Sequence, residues 1–348
     1  MILDGCELPI VLAPLAGGPS TPELAAAVSN AGGLGFVAGG YLSAADLATR
    51  VARTRGLTAR PFGVNLFVPG PAPPADVLDE YARAVAGEAS TVGAGPGEPR
   101  HDDDDWSAKI ALLLDDPPPV VSFTFGVPDP AVVQQFRAAG AEVWVTVTSV
   151  AEAGHAEADV LVVQGAEAGG HRGGGDDAPE DATGLLALLQ LVAARVDRPL
   201  VATGGIATGA AIAAVLSCGA RAAALGTAFL NCPEAGTSAV HRQALGSAAG
   251  TRLTRAFTGR TARGIVNGFL ERHSADAPAA YPEVHYLTAP MRAAARAAGV
   301  PDLVNLWAGQ AYPLTRAMPA GELVRALAAE ARAALSRAAA LLAGRMPA

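Results

Sequence analysis

The chain has 348 residues and a formal net charge of −8; 51% of its residues are hydrophobic and only 5% aromatic. That is ample apolar material for a large core packed by alanine, valine, leucine and glycine, and an acidic chain without a basic run argues against a nucleic-acid surface. No apolar run reaches the roughly 20 residues that span a bilayer. Met1–Gly5 lacks the basic and apolar regions of a secretory signal, and three cysteines without CxxC spacing (Cys6, Cys218, Cys232) argue for a reducing cytoplasm and against zinc or disulfides.

Short apolar runs alternate with alanine-rich stretches. Pro9–Leu15 predicts the first strand and Pro22–Ala31 the first helix, with Thr21 as N-cap, Pro22 in the first turn and Glu23 as an early acid. A strand over Leu34–Ala38, a helix over Ala44–Arg55 and a strand over Phe62–Phe67 follow. Ala89–Asp105 reads as a solvated loop between two helices. Its run His101-Asp102-Asp103-Asp104-Asp105 is not read as a metal site, because consecutive carboxylates point in different directions and repel one another. Strands are expected at Val120–Phe125 and Glu142–Val147 around a Pro130–Ala139 helix. Val160–Gln164, Leu200–Thr203 and Ala222–Thr227 complete the strands, separated by helices at Leu185–Arg195 and Gly209–Cys218. Cys232 to about Pro319 reads as a smaller, mainly helical lid. In Gly321–Leu342, Leu323, Val324, Leu327 and Ala328 recur at helical spacing and predict an amphipathic outer helix.

Most of the eight strands are apolar throughout rather than alternating, as parallel strands covered on both faces are. Eight strand–helix units predict an α/β fold, a (β/α)8 TIM barrel, with an open doubly wound sheet as the alternative. The expected division is a barrel at 1–231, a lid or substrate domain at 232–319, and a helix packing back on the barrel at 320–348.

In a barrel the site lies where the strands end. Those ends carry Ala13-Pro14-Leu15-Ala16-Gly17-Gly18, Asn65, Ser122-Phe123-Thr124-Phe125-Gly126, Thr146 and Thr148, Gln164, Thr203-Gly204-Gly205 and Gly226-Thr227. Such neutral amides, hydroxyls and bare backbone suit a large, polar, planar heteroaromatic ligand better than a metal or a carboxylate pair. The two glycine loops after the seventh and eighth strands stand where barrels hold a phosphate, on backbone N–H groups and a helix N-terminus, although each loop alone reads as a tight turn. A phosphorylated heteroaromatic ligand in a barrel suggests FMN. No GxGxxG opens a first βαβ unit, which disfavours a Rossmann site.

The stretch Gln164-Gly165-Ala166-Glu167-Ala168-Gly169-Gly170-His171-Arg172-Gly173 follows the sixth strand. Glycines there let backbone approach a ligand, and histidine moves protons near neutral pH. The plain alternative is a flexible loop with an incidental histidine.

Together, Ala13–Gly18, Ala31-Gly32-Gly33-Leu34-Gly35, Pro61-Phe62-Gly63-Val64-Asn65, Gly165–His171, Ala202-Thr203-Gly204-Gly205-Ile206 and Leu225-Gly226-Thr227 resemble the FMN-dependent nitronate monooxygenases, formerly 2-nitropropane dioxygenases. The likeness runs from about Pro9 to Gln310. Ser122–Gly126 and Asn305-Leu306-Trp307-Ala308-Gly309-Gln310 resemble the class I branch. Leu15 departs from it, since many relatives carry methionine there. The resemblance implies FMN across the barrel mouth. Its phosphate would lie on Gly204, Gly205, Gly226 and Thr227, with Asn65 and Gln164 on the ring, Pro14 and Leu15 along one side and Gly169 beside it. Gln310 would reach the flavin edge. His171 would hold an alkyl nitronate, or act as base on a neutral nitroalkane, and O2 would complete conversion to a carbonyl compound and nitrite. Phe125, Tyr281 and Tyr286 would close over the substrate, and Arg172 or a lid arginine would meet a carboxylate such as that of propionate 3-nitronate. His155, His241 and His273 are expected at the surface. The expected assembly is a monomer or homodimer, with no metal, membrane or nucleic acid. The rivals are an FMN-dependent NAD(P)H enoyl-carrier-protein or quinone reductase on the same scaffold, and a non-catalytic FMN or phosphate binder.

Overall fold

The apolar runs become strands because both of their faces are covered. β1 (Ile10–Leu12), β2 (Gly35–Ala38), β3 (Phe62–Phe67), β4 (Val120–Thr124), β5 (Glu142–Val147), β6 (Val160–Gln164), β8 (Leu200–Thr203) and β9 (Ala222–Leu225) pair in parallel in the order β1-β9-β8-β6-β5-β4-β3-β2. A two-residue strand, β7 (Gly170–His171), lies outside that sheet. The sheet closes on itself at Val11 and Leu34: Leu12 N–H donates to the Leu34 carbonyl at 2.9 Å, and Leu34 N–H to that of Ile10 at 3.0 Å. This is the (β/α)8 barrel, and the open sheet is overturned. This computed structural model describes residues 1–177 and 182–344, so the last four residues of the expected 320–348 helix lie outside the described residues.

Three strands end earlier than their apolar runs. β4 stops at Thr124 because Phe125 takes a left-handed φ of +74°, which no extended strand accommodates. β1 stops before Pro14, which has no N–H to donate, and β9 gives way at Thr227 to a 3-10 turn.

Strand register decides what faces the interior. Val11, Phe36, Val120, Trp144, Val160, Val201, Ala222 and Ala224 form its apolar floor. Phe36 and Trp144 meet at 5.5 Å, and the Phe36 ring fills the place where a side chain at position 63 would be: a Cβ on Gly63 would lie 2.3 Å from it. The next inward position on several strands is polar: Asn65, Ser122, Thr146, Gln164 and Thr203. The alternation of period two thus puts amides and hydroxyls in one layer directly above the plug. Outward residues such as Val64, Phe123, Val145 and Leu161 pack under the helices. The Ala320–Leu342 helix buries Leu323, Val324, Leu327 and Ala328, the residues that its spacing singles out.

A second apolar cluster lies beyond the barrel mouth. It joins Phe257, Phe269, Val284, Leu287 and Met291 to Tyr81, Val85 and Ala89 of the Asp79–Ser90 helix, which enters from the β3–β4 connection. β10 (Thr251–Thr254) and β11 (Ala262–Ile265) form an antiparallel pair here, and β7 joins the edge of β11. This small sheet is absent from the sequence reading because TRLT and ARGI are short and carry no clean apolar alternation.

The acidic loop does connect two helices; Asp103 and Asp105 are exposed, and three of its carboxylates tie down neighbouring segments. Asp104 accepts from Tyr41 N–H at 2.8 Å, Asp105 from Ala44 N–H at 3.0 Å, and Asp102 from the Tyr286 hydroxyl at 2.8 Å. The chain's single lysine, Lys109, is 1% exposed, and its Nζ lies 2.7 Å from Asp104, a charge contact off the hydrogen-bonding direction. Burial dominates over this cation and raises the Asp104 carboxyl to about 6. Removing one partner of a buried pair leaves the other uncompensated. Lys109→Met should therefore lower unfolding free energy by about 3 kcal/mol in chemical denaturation; an unchanged midpoint would show that the pair is dispensable.

Candidate active site

The polar layer opens into a cavity of about 550 Å3 at the carboxyl ends of the strands. Pro14, Leu15, Asn65, Phe125, Gln164, Gly169, His171, Gly204, Gly205, Gly226 and Thr227 all line it. Gly204 and Gly205 take φ values of +118° and +68°, left-handed backbone that favours glycine. The N–H groups of Gly204, Gly205, Gly226 and Thr227 find no acceptor among the described residues. Clustered unpaired backbone donors form an anion cradle. The following helix does not add its own N-terminus, because Gly209 N–H donates to Glu330 at 3.0 Å. Gly169 closes the cradle's side: a Cβ there would lie 2.4 Å from Gly309 N, whose N–H donates to Thr227 Oγ1 at 3.0 Å.

His171 reaches the cavity through β7. Its Nε2 is 2.9 Å from Thr258 Oγ1, and Phe125, Trp307 and Tyr281 stand edge-on to its ring at 5.6, 5.6 and 5.7 Å. Aromatics are scarce in the chain and concentrated here. Burial, then the Arg260 and Arg292 charges, pull its pKa down to about 3. The imidazole is therefore neutral across the ordinary pH range, below the near-neutral value expected of it. Gln164 braces the same loop, donating to the His171 carbonyl at 3.1 Å and accepting from Gly173 N–H at 2.9 Å. Asn65 is engaged as well: its amide donates to Ser122 Oγ at 3.0 Å and accepts from Thr124 Oγ1 at 3.1 Å.

Positive charge comes from the lid. Arg292 and Arg296 line the cavity beside His285 and Asn305. Arg292 donates to Thr288 Oγ1 at 2.9 Å and to the His285 carbonyl at 2.7 Å. No carboxylate among the described residues offsets its charge; burial pulls its pKa to about 10, so it stays protonated. Arg260 lies 4.2 Å over the Phe125 ring, a cation–π contact that holds the ring against His171. Tyr41, with φ +66°, stacks on His285 at 4.1 Å, and its hydroxyl meets that of Tyr281 at 3.2 Å.

Several expected residues lie elsewhere. Tyr286 faces Asp102, with the Arg100 guanidinium 3.7 Å from its ring, and does not line the cavity. One residue of helical rotation separates it from His285, which does. Gln310 is exposed, and only its backbone N–H is engaged, on the Glu167 carbonyl. Arg172 is buried off the cavity against the Gln164 carbonyl. His241, expected at the surface, is 8% exposed and lines the cavity, because its short helix turns inward.

Residues 5–330 match the family model described as nitronate monooxygenase. The chain belongs to the nitronate monooxygenase family. It is 42% identical to a nitronate monooxygenase of Pseudomonas aeruginosa, over 95% of this chain and 98% of that protein. It is 40% identical to one of Paraburkholderia phytofirmans, over 96% and 95%. Among solved structures, the nitroalkane oxidase from Streptomyces ansochromogenes superposes with a TM-score of 0.95 at 51% identity, covering 97% of this chain and 99% of that one. The protein is an oxidoreductase of this family, and no described helix is long and apolar enough to cross a membrane.

Cavity residues of this nitronate monooxygenase family member that the sequence does not reveal include Tyr41, Thr258, Arg292 and Arg296. Tyr41 was findable as the residue after Gly39-Gly40 at the end of β2. Arg292 was findable as a charge within the apolar stripe Val284, Leu287, Met291, Ala295 of the Glu283–Ala298 helix. Thr258 carries no sequence signal of its own. The desolvated His171 makes one prediction: with 15N-labelled histidine, its ring should keep a neutral-imidazole signature from pH 8 down to pH 5. Because burial lowers the pKa, protonation should set in only well below that range, and a midpoint near 6.5 would mean that the ring is solvated.

Proposed function

We propose that the protein holds FMN across the barrel mouth and oxidises alkyl nitronates, with O2, to a carbonyl compound and nitrite. The observation that carries this reading is that a neutral, aromatic-boxed imidazole and four unpaired backbone N–H groups share one cavity. Those N–H groups, at Gly204, Gly205, Gly226 and Thr227, would hold the phosphate. Pro14 and Leu15 would flank the ring, Gly169 would lend backbone beside it, and Asn65 and Gln164 would offer the hydrogen-bonding capacity left over from their contacts within the protein. Bound there, FMN supplies the electron-accepting chemistry of the reaction.

His171 contacts the nitronate and, with a neutral nitroalkane, takes the α proton as general base. Phe125, Tyr281 and Trp307 pack edge-on against its ring and restrict how it can turn. Because His171 is neutral, attraction for an anion falls to Arg292 and Arg296, fixed charges that line the same cavity. Two cations at one wall fit a substrate with a second anionic group, such as the carboxylate of propionate 3-nitronate.

Purified protein given propionate 3-nitronate in air should consume O2 and release nitrite, and heating it should free FMN into the supernatant. His171→Asn should keep the yellow cofactor while turnover of a neutral nitroalkane falls by about 10²-fold or more. Rapid anaerobic bleaching by NADH, with no nitrite from any nitronate, would instead mark an NAD(P)H-dependent reductase.

A further inference from the structure

The hydroxyl of Thr258 lies between two partners, 2.9 Å from His171 Nε2 and 3.2 Å from the Arg260 carbonyl oxygen. A threonine hydroxyl has one proton to give. The Arg260 carbonyl can only accept, belongs to a buried residue, and has Thr258 as its one hydrogen-bond donor among the described residues. A buried carbonyl without a donor is costly, so the hydroxyl proton goes there. The hydroxyl oxygen then accepts from Nε2–H, which leaves the imidazole lone pair on Nδ1.

We propose that Thr258 is a positioning residue that locks His171 as the Nε2–H tautomer, making Nδ1 the atom that takes the proton from a neutral nitroalkane. The assignment rests on the reading of His171 as the base. The turn carrying Thr258 cannot drift. Thr258 is 1% exposed, and the N–H groups of Thr258 and Gly259 both donate to the Arg255 carbonyl, at 3.1 and 2.7 Å. Gly259 has φ +79°, and a Cβ on it would lie 2.1 Å from the Ala280 carbonyl oxygen, so only glycine fits. Arg260 Nε donates to the Arg172 carbonyl at 3.2 Å, tying the turn to the loop that carries His171.

In the step itself the α C–H bond breaks and its electron pair stays on carbon, spreading onto the nitro oxygens to give the nitronate. The proton forms a new N–H bond at Nδ1. The resulting imidazolium keeps its Nε2–H on Thr258, so the ring need not turn. A ring in the opposite tautomer would present N–H, not a lone pair, to the carbon acid.

The test uses the FMN-loaded full chain with 15N-labelled histidine, His171 being assigned by its loss in His171→Asn. Long-range proton–nitrogen spectra should show Nε2 protonated and Nδ1 bare in the wild type, and a mixture of tautomers in Thr258→Val. In Thr258→Val the ratio of kcat/KM for nitroethane to that for ethyl nitronate should fall about tenfold or more, and Thr258→Ser should restore it. An Nδ1–H wild type, a Thr258→Val spectrum identical to wild type, or an unchanged ratio each overturns the assignment. A wild type that oxidises nitronate but not nitroethane removes the proton transfer on which it rests. A wild type that releases nitrite from neither compound sinks the reaction itself, and with it the role of Nδ1 as base, while the spectrum still decides the tautomer.

Discussion

The pairing of β7 with β11 holds the site together. Two residues, Gly170 and His171, leave a barrel loop to extend the small lid sheet opposite Arg263 and Ala262, and Arg172 N–H continues the pairing to the Thr261 carbonyl at 2.9 Å. The barrel and the second apolar cluster are thereby joined at His171. The same short ladder sets its ring among Thr258, Phe125, Tyr281 and Trp307 at the cavity wall. Gly170 permits the turn with φ +73°.

Burial divides the electrostatic work. It disfavours the charged imidazole, the Arg260 and Arg292 charges add to that, and the His171 ring stays neutral. The positive charge at the cavity sits instead on arginines, and Arg292 stays protonated although buried. No acid among the described residues lines the cavity. Asp102, Asp104 and Asp105 are spent on the Tyr41 loop, Lys109 and Tyr286, where they hold the aromatic wall from behind.

Much of the barrel was legible in the sequence for a physical reason. Strands buried on both faces read as uninterrupted apolar runs, and their inward polar positions fall at the ends, so the strand count also located Asn65, Gln164 and the glycine loops. What the cavity takes from elsewhere was not legible. β10 and β11 are short and lack clean alternation, so the hairpin whose connection carries Thr258 has no periodic signature. Tyr286 and His285 are adjacent in sequence, and helical rotation alone decides which one faces the cavity. Gln164 was correctly drawn to the mouth, yet nothing in its position showed that its amide is occupied with the His171 loop. The low pKa of His171 comes first from burial and then from Arg260 and Arg292, which arrive from a turn and a helix about 90 to 120 residues further along the chain.

The cavity divides in two, with unpaired backbone N–H groups on the barrel side and, on the other, two arginines without a carboxylate partner among the described residues. A crystal structure of the protein with FMN tests the proposed use of that division most directly. The phosphate is expected on the N–H groups of Gly204, Gly205, Gly226 and Thr227, with no phosphate contact from Arg292 or Arg296. A phosphate bound by Arg292 and Arg296 instead would contradict it.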